Sequence, residues 1–223
     1  MCGRFSLALD PEELREAFGL IETPTMWIPR YNIAPTQPVA VITDAAHPKL
    51  DYMRWGLVPS WAKDISVGQK LINARAETIR EKPSFRSAFS RRRCLIPADG
   101  FFEWKKTEGS KKTPAEPYYF RLRSGKPFAF AGLWEIWHSP EGDELKSCTI
   151  LTTDANELVG TVHQRMPILF EIEQAWTWLQ PLGADTLLGL LKPFPAEKME
   201  TYPVSRLVND PKRDDPQCVT PIS

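Results

Sequence analysis

Cys2 stands directly behind the initiator methionine in "MCGRFSL". Methionine aminopeptidases remove Met1 when the next side chain is small, and what remains is a 1,2-aminothiol. Its amine has a reference pKa of about 7.7–8.0 and its thiol one near 8.5, so both nucleophiles are partly available at neutral pH. The thiol can attack an acyl carbon with its own amine as base. Alternatively, the amine can condense with an aldehyde and the thiol can close the imine into a five-membered thiazolidine. The competing reading is a small residue at a terminus that is free to vary.

Neighbouring residues bear on that choice. Gly3 permits close backbone approach by a substrate, and Arg4 puts a fixed cation beside the reactive end, where it lowers a thiol pKa or holds a phosphate. Three further side chains could move protons or orient them. His163 in "TVHQRMP" is the default shuttle at neutral pH; the alternative is a satisfied structural histidine. Glu103 in "DGFFEWKK" lies between Phe102 and Trp104, and a carboxylate half enclosed by aromatics titrates high; the alternative is a solvated outward glutamate. Asn73 in "LINARAET" precedes an expected helix start, so an N-cap competes with a catalytic role.

Arg75, Arg86 and Arg165 add cations around these segments, with solvated surface arginines as the alternative. Trp55 and Trp61 in "RWGLVPSWA", together with Trp104, offer aromatic faces on which unstacked bases bind. Core packing is the competing fate of any one tryptophan.

The elements that must hold these residues read mostly as β. Phe5 and Leu7 alternate with Arg4 and Ser6, which predicts a strand tucked into the body. Asp10-Pro11-Glu12-Glu13 opens a helix through Leu14, Ala17 and Phe18, stopped at Gly19. Strands are expected at 38–43 and 50–59, with one or two short helices over 72–93 broken at Pro83. Two strand pieces follow at 94–104, split at Asp99-Gly100, and a hairpin at 117–137 turns at Ser124-Gly125. A buried strand covers 147–156, short helices cover 172–179 and 184–191, and 199–205 returns as a strand. The tail from Asn209 is expected to loop over the surface or fray. These readings give an α+β class: one β-rich domain over 1–223, a twisted sheet or partly closed barrel ringed by short helices.

Composition narrows the function. A hydrophobic fraction of 42% with 25% charged residues excludes a disordered chain. Lys+Arg and Asp+Glu are both 28, so a nonspecific duplex binder is excluded while a local basic groove is not. Cys2, Cys94, Cys148 and Cys218 lack metal-ligand spacing, so no metal and no cofactor are expected, and the thiols read as reduced. Neither a secretory leader nor a run of roughly 18 apolar residues is present. A location that is cytoplasmic (nucleoid-associated) or nuclear follows, with no membrane partner.

"CGRF", "YNIAPTQ" (31–37), "RWGLVPSWA" (54–62), "NARAET" (73–78), "CLIPADGFFEW" (94–104) and "HQRMP" (163–167) come in one order. That series resembles the SOS response-associated peptidase (SRAP) family, whose members act at abasic sites in single-stranded DNA. The resemblance implies that Cys2, once freed of Met1, forms a thiazolidine DNA–protein crosslink with the ring-opened abasic-site aldehyde, assisted by Asn73, Glu103 and His163. It implies DNA contacts from Arg4, Trp55, Trp61, Arg75, Arg86, Trp104 and Arg165, and peptidase activity limited to self-processing. A monomer acting on single-stranded DNA, with replication-associated proteins as partners, completes the expectation. Two alternatives stay open: an N-terminal-nucleophile (glutamine) amidohydrolase, whose class also starts Met-Cys-Gly, and a noncatalytic reader of modified bases.

Overall fold

The computed structural model describes residues 2–23, 25–106 and 115–222, so Met1 and its removal lie outside it. Two β-sheets form the body. The first runs in the spatial order β13 (Met199–Pro203), β8 (Glu116–Leu122), β7 (Gly100–Lys105), β1 (Phe5–Leu7) and β2 (Arg30–Ile33). The second runs β12 (Leu169–Phe170), β9 (Phe128–His138), β10 (Glu144–Asp154), β4 (Asp51–Trp55) and β3 (Pro38–Val41). Three more strands join it: β11 (Arg165–Pro167) and β5 (Asn73–Arg75) on β10, and β6 (Arg93–Ala98) on β9. Among the described residues the sheets do not close into a barrel. No described helix is long and apolar enough to cross a membrane.

The two sheets share one apolar core. Phe5 and Phe101 of the first meet Phe130 of the second, with ring centroids 5.4 and 6.3 Å apart. Phe5 has no exposed surface, and burying a side chain of that size stabilises by about 1.5–3 kcal/mol. This burial at the very start of the chain helps keep Cys2, itself without exposed surface, inside the molecule. The same strand is fixed from below by a buried polar cluster. Ser6 Oγ donates to Asp99, Tyr119 Oη lies 2.7 Å from Ser6 Oγ, and the Ala8 amide donates to Asp99.

Local sequence explains the helices. Asp10 caps α1 (Pro11–Phe18) by accepting from the Glu12 and Glu13 amides, Glu13 returns a bond to the Asp10 amide, and Gly19 ends it at φ +55°. Helices α4 (Ile172–Leu179) and α5 (Ala184–Leu190) lie where their apolar periodicity placed them, preceded by the short α2 (Arg86–Arg91) and α3 (Glu157–Gly160).

Three expectations need correction. The stretch 117–137 is not a hairpin: β8 pairs with β7 and β13, whereas β9 pairs with β6, β10 and β12. The turn at Gly125 is real, at φ +71°, but it carries the chain from one sheet to the other. A local turn signal says nothing about which strand becomes the neighbour. Residues 73–75 are strand rather than helix, because Ile72 accepts from the Ile150 amide (3.1 Å) and from Trp55 Nε1 (2.9 Å). Tertiary bonds override a helical composition there. Of the two expectations for the tail, looping over the surface fits its mostly exposed residues, and fraying does not fit its described part. Asp214 accepts from the Tyr31 and Asn32 amides (2.6 and 2.9 Å), and Val208 and Cys218 are fully buried.

Gly100 opens β7 with Tyr119 pressed against it: a Cβ there would sit 2.1 Å from the phenol. Tyr119 is buried and held by Ser6, so it has little room to yield. Gly100→Ala is therefore expected to destabilise the fold by roughly 2–3 kcal/mol, read as a lower denaturation midpoint. A midpoint equal to wild type would contradict this packing.

Candidate functional site

The site grows from the start of β1. The β1–β7 register pairs Phe5 with Phe101, and the Phe102 amide donates to the Arg4 carbonyl at 3.0 Å. Continued by one residue, that register sets Glu103 opposite Gly3, beside Cys2. Asn73 approaches from the other sheet, where β5 runs parallel to β10, and its Nδ2 donates to the Cys2 carbonyl at 2.8 Å. Its Oδ1 is buried without a hydrogen-bond partner among the described residues. Two sheets thus each supply one polar side chain to one terminal residue.

Burial sets the electrostatics. Cys2 has no exposed surface with Met1 attached, and burial first, then the Glu103 charge, push its thiol well above its ordinary range. Glu103 is 2% exposed. Burial pushes its carboxyl up to about 7, against the opposing pull of the amino-terminal charge. A carboxyl poised there can both give and take a proton near neutral pH.

His163 follows α3, whose cap is Asn156 accepting from the Val159 amide, and its own amide donates to the Val159 carbonyl at 2.9 Å. Burial, then the amino-terminal charge, hold its imidazole below the ordinary value, so it is neutral at pH 7. Nδ1 lies 3.0 Å from the Arg165 amide and 3.1 Å from the Arg165 carbonyl, so Arg165 fixes the ring's orientation in either tautomer.

A cleft of about 1130 Å³ opens at His163, lined by Arg75, Trp104, Lys105, Lys106, Glu116 and residues 160–165. Arg75, Lys105 and Lys106 are exposed cations on its walls. Arg165 also lines it, but its guanidinium donates to both Glu77 oxygens (2.8 and 2.9 Å) and to Asp154 (2.7 Å). Its charge is balanced by two carboxylates. Among the described residues no group of three or more His, Cys, Asp or Glu could hold a metal ion.

The structure therefore brings Asn73 and Glu103 to Cys2, and His163, which feels the amino-terminal charge, lines one cleft with Arg75, Trp104 and Arg165. The remaining candidates lie elsewhere. Trp55 has no exposed surface; its ring packs on Phe5 at 5.2 Å and its Nε1 bonds to Ile72. With both faces covered it cannot stack on a base, and it props β1 and β5 instead. Arg4 is turned to protein oxygens, those of Asn32 (2.8 Å), Val208 (2.5 Å) and Asn209 (3.3 Å), rather than to the cleft. Arg86 lines a separate groove of about 260 Å³ with Arg80, Arg93 and Leu187. Trp61 is 61% exposed but outside the cleft.

Sequence reasoning missed Lys105 and Lys106, which stand beside Glu103 in "FFEWKK". The signal was two consecutive cations leaving a strand whose preceding residues turn inward. It also missed the balancing of Arg165 by Glu77 and Asp154, contacts that join residues 88 and 11 positions apart.

Comparison with known proteins gives the same ordered picture. The chain is 45% identical over 98% of its length to the abasic site processing protein YoqW of Bacillus subtilis (strain 168), covering 99% of that relative. It is 32% identical to the abasic site processing protein HMCES of Gallus gallus, over its full length and 78% of that chain. A crystal structure of a protein from Bacteroides thetaiotaomicron superposes with a TM-score of 0.89 at 28% identity, each chain fully covered. The family model described as SOS response associated peptidase (SRAP) matches residues 1–211. With that match and relatives aligned end to end, the chain belongs to the SRAP family.

Proposed function

We propose that the protein processes abasic sites in single-stranded DNA by forming a covalent link through Cys2. The observation that carries this reading is the convergence of Asn73 and Glu103 on Cys2, while their chain neighbours Arg75, Trp104, Lys105 and Lys106 line a basic cleft with His163. The names of the relatives, abasic site processing proteins, support it.

The reaction begins with removal of Met1, either by an aminopeptidase or by self-processing, which is the whole of the peptidase activity we assign. The Cys2 amine then attacks the ring-opened aldehyde. Glu103 takes the proton that the amine loses, and Asn73 orients the amine through the Cys2 carbonyl and its own Oδ1. Glu103 then returns that proton to the departing oxygen, and one water leaves as the C=N bond forms, while the neutral His163 ring orients that oxygen by a hydrogen bond. The thiol adds across the imine, its sulfur bonding to carbon and its proton passing to nitrogen. The product is a thiazolidine, reached with no redox change. Desolvation suits this order: a buried neutral thiol does not compete with the amine for the aldehyde and closes the ring only afterwards. Arg75, Lys105 and Lys106 hold phosphates, and Trp104 offers a face to a base. A single copy of the chain suffices for every step, and the substrate places it in whatever compartment holds the replicating DNA.

Incubation with single-stranded DNA carrying one abasic site tests this directly. Wild type is expected to give an adduct that survives heat and SDS, and its intact mass beforehand lacks Met1. Cys2→Ala keeps an amine but no thiol, so its heat-stable adduct is expected to vanish. An equally stable adduct from Cys2→Ala, or active protein that retains Met1, would overturn the mechanism.

Binding before the link forms should depend on salt, with log K falling by about 0.7 per phosphate held for each tenfold rise in salt. Replacing Lys105 and Lys106 together by Ala is expected to flatten that slope by about 1.4, measured on an unmodified strand. An unchanged slope would move the strand off this wall.

Glu103 links the site to stability. Its carboxyl titrates near 7 in the folded chain against an ordinary 4.5. The folded state therefore holds the extra proton between those values, and stability falls as pH rises through that window. Glu103→Gln removes this loss: it is expected to be more stable than wild type at pH 8, by on the order of 3 kcal/mol at most, with the gap closing below pH 4.5. The crosslinking rate of wild type should also inflect near pH 7, and that inflection should be absent in the variant. A constant stability gap across pH would show that Glu103 is not protonated in this window.

A further inference from the structure

The carboxy-terminal segment after β13 contributes little to either sheet, yet it holds both Arg4 and Trp104. Two of its backbone carbonyls, Val208 and Asn209, accept from Arg4, two residues from the nucleophile. Asn32 is fully buried and gathers the same segment, the two protons of its Nδ2 shared among the carbonyls of Val208 (3.2 Å), Asp210 (3.0 Å) and Arg213 (2.6 Å). Asp214 ties the far end to β2 through the Tyr31 and Asn32 amides and an ion pair with Arg30. From this clamped segment the side chain of Asn209 reaches a wall of the cleft, Trp104. Asn209 Oδ1 accepts from Trp104 Nε1 at 2.7 Å.

Trp104 is half-buried, lines the cleft and follows Glu103 on β7. Its ring system packs against the buried group of Phe102, Tyr119, Val204, Val208 and Cys218, with the Phe102 ring tilted at 6.5 Å. Apolar packing has no directional preference of its own. The hydrogen bond at the Nε1 edge does, and it settles which face turns to the cleft. Asn209 itself is exposed, so its side chain adds little to the core.

We propose that Asn209 is a positioning residue for DNA: it locks the Trp104 indole as a wall of the cleft, and the carboxy-terminal segment thereby takes part in substrate engagement. This rests on the reading of the cleft as the seat of the DNA strand. Preorganisation of one aromatic wall improves capture of the strand and leaves the chemistry at Cys2 alone. The effect therefore belongs in the DNA concentration that half-saturates crosslinking, not in the rate at saturation.

The test is a double-mutant cycle on the full chain with Asn209→Ala and Trp104→Phe, which lacks the indole donor. Asn209→Ala keeps the backbone carbonyl that anchors Arg4. It is expected to raise the half-saturating concentration of abasic-site single-stranded DNA about fivefold, with the saturated rate within about twofold and the melting temperature unchanged. In the Trp104→Phe background the same change is expected to have no further effect. Unaltered half-saturation in Asn209→Ala would overturn the proposal, as would a full fivefold effect in the Trp104→Phe background. A loss that tracks a fall in melting temperature would also overturn it, because that is what a structural role produces. Failure of wild type to crosslink at all would instead contradict the reading on which the proposal rests.

Discussion

The pairing of β1 between β2 and β7 is the constraint on which the rest depends. Chain termini ordinarily fray. Here the fifth residue is a fully buried phenylalanine in contact with Trp55 and Phe130 of the opposite sheet, and the sixth is bonded to Asp99 and Tyr119. Those contacts leave the first residues little freedom. A nucleophile on a chain end is useful only if the end is held, and this fold holds it from the third residue after it.

Everything else in the site follows from that anchor. β7 is the neighbour of β1, so its side chains fall into register with the terminus, and Glu103 arrives beside Cys2 at the price of being buried. Burial in turn carries its carboxyl to about 7. Trp55 couples the second sheet to the same point, touching Phe5 with its ring and bonding the strand of Asn73 through Nε1. The core tryptophan is thus as much a part of positioning as the residues that would touch substrate, although it never sees solvent.

How much of this was legible in the sequence depends on the range of the contact. The cap and stop of α1 rest on neighbours within four residues, and they were readable from Asp10, Pro11, Glu13 and Gly19. The catalytic candidates were legible as a set only through the ordered motifs. Individually, Asn73 read equally well as a helix cap, and only the pairing of β5 with β10 makes it a strand residue facing Cys2. Arg4 and Trp55 had the right chemistry for DNA but were claimed by long-range partners, Val208 and Ile72, that no local pattern announces. The hairpin at 117–137 failed for the same reason. Its turn is local, whereas the sheet each arm joins is decided by strands far away in sequence.

The central claim is that the amine and thiol of one residue close together on an abasic-site aldehyde. Its most direct measurement is mass mapping of the adduct after proteolysis, with and without borohydride. The account predicts one modified peptide, beginning at Cys2, lighter by one water than the sum of peptide and DNA remnant and unchanged by borohydride. An adduct on an internal lysine such as Lys105 or Lys106, or one at Cys2 that borohydride reduces as an open imine, would contradict it.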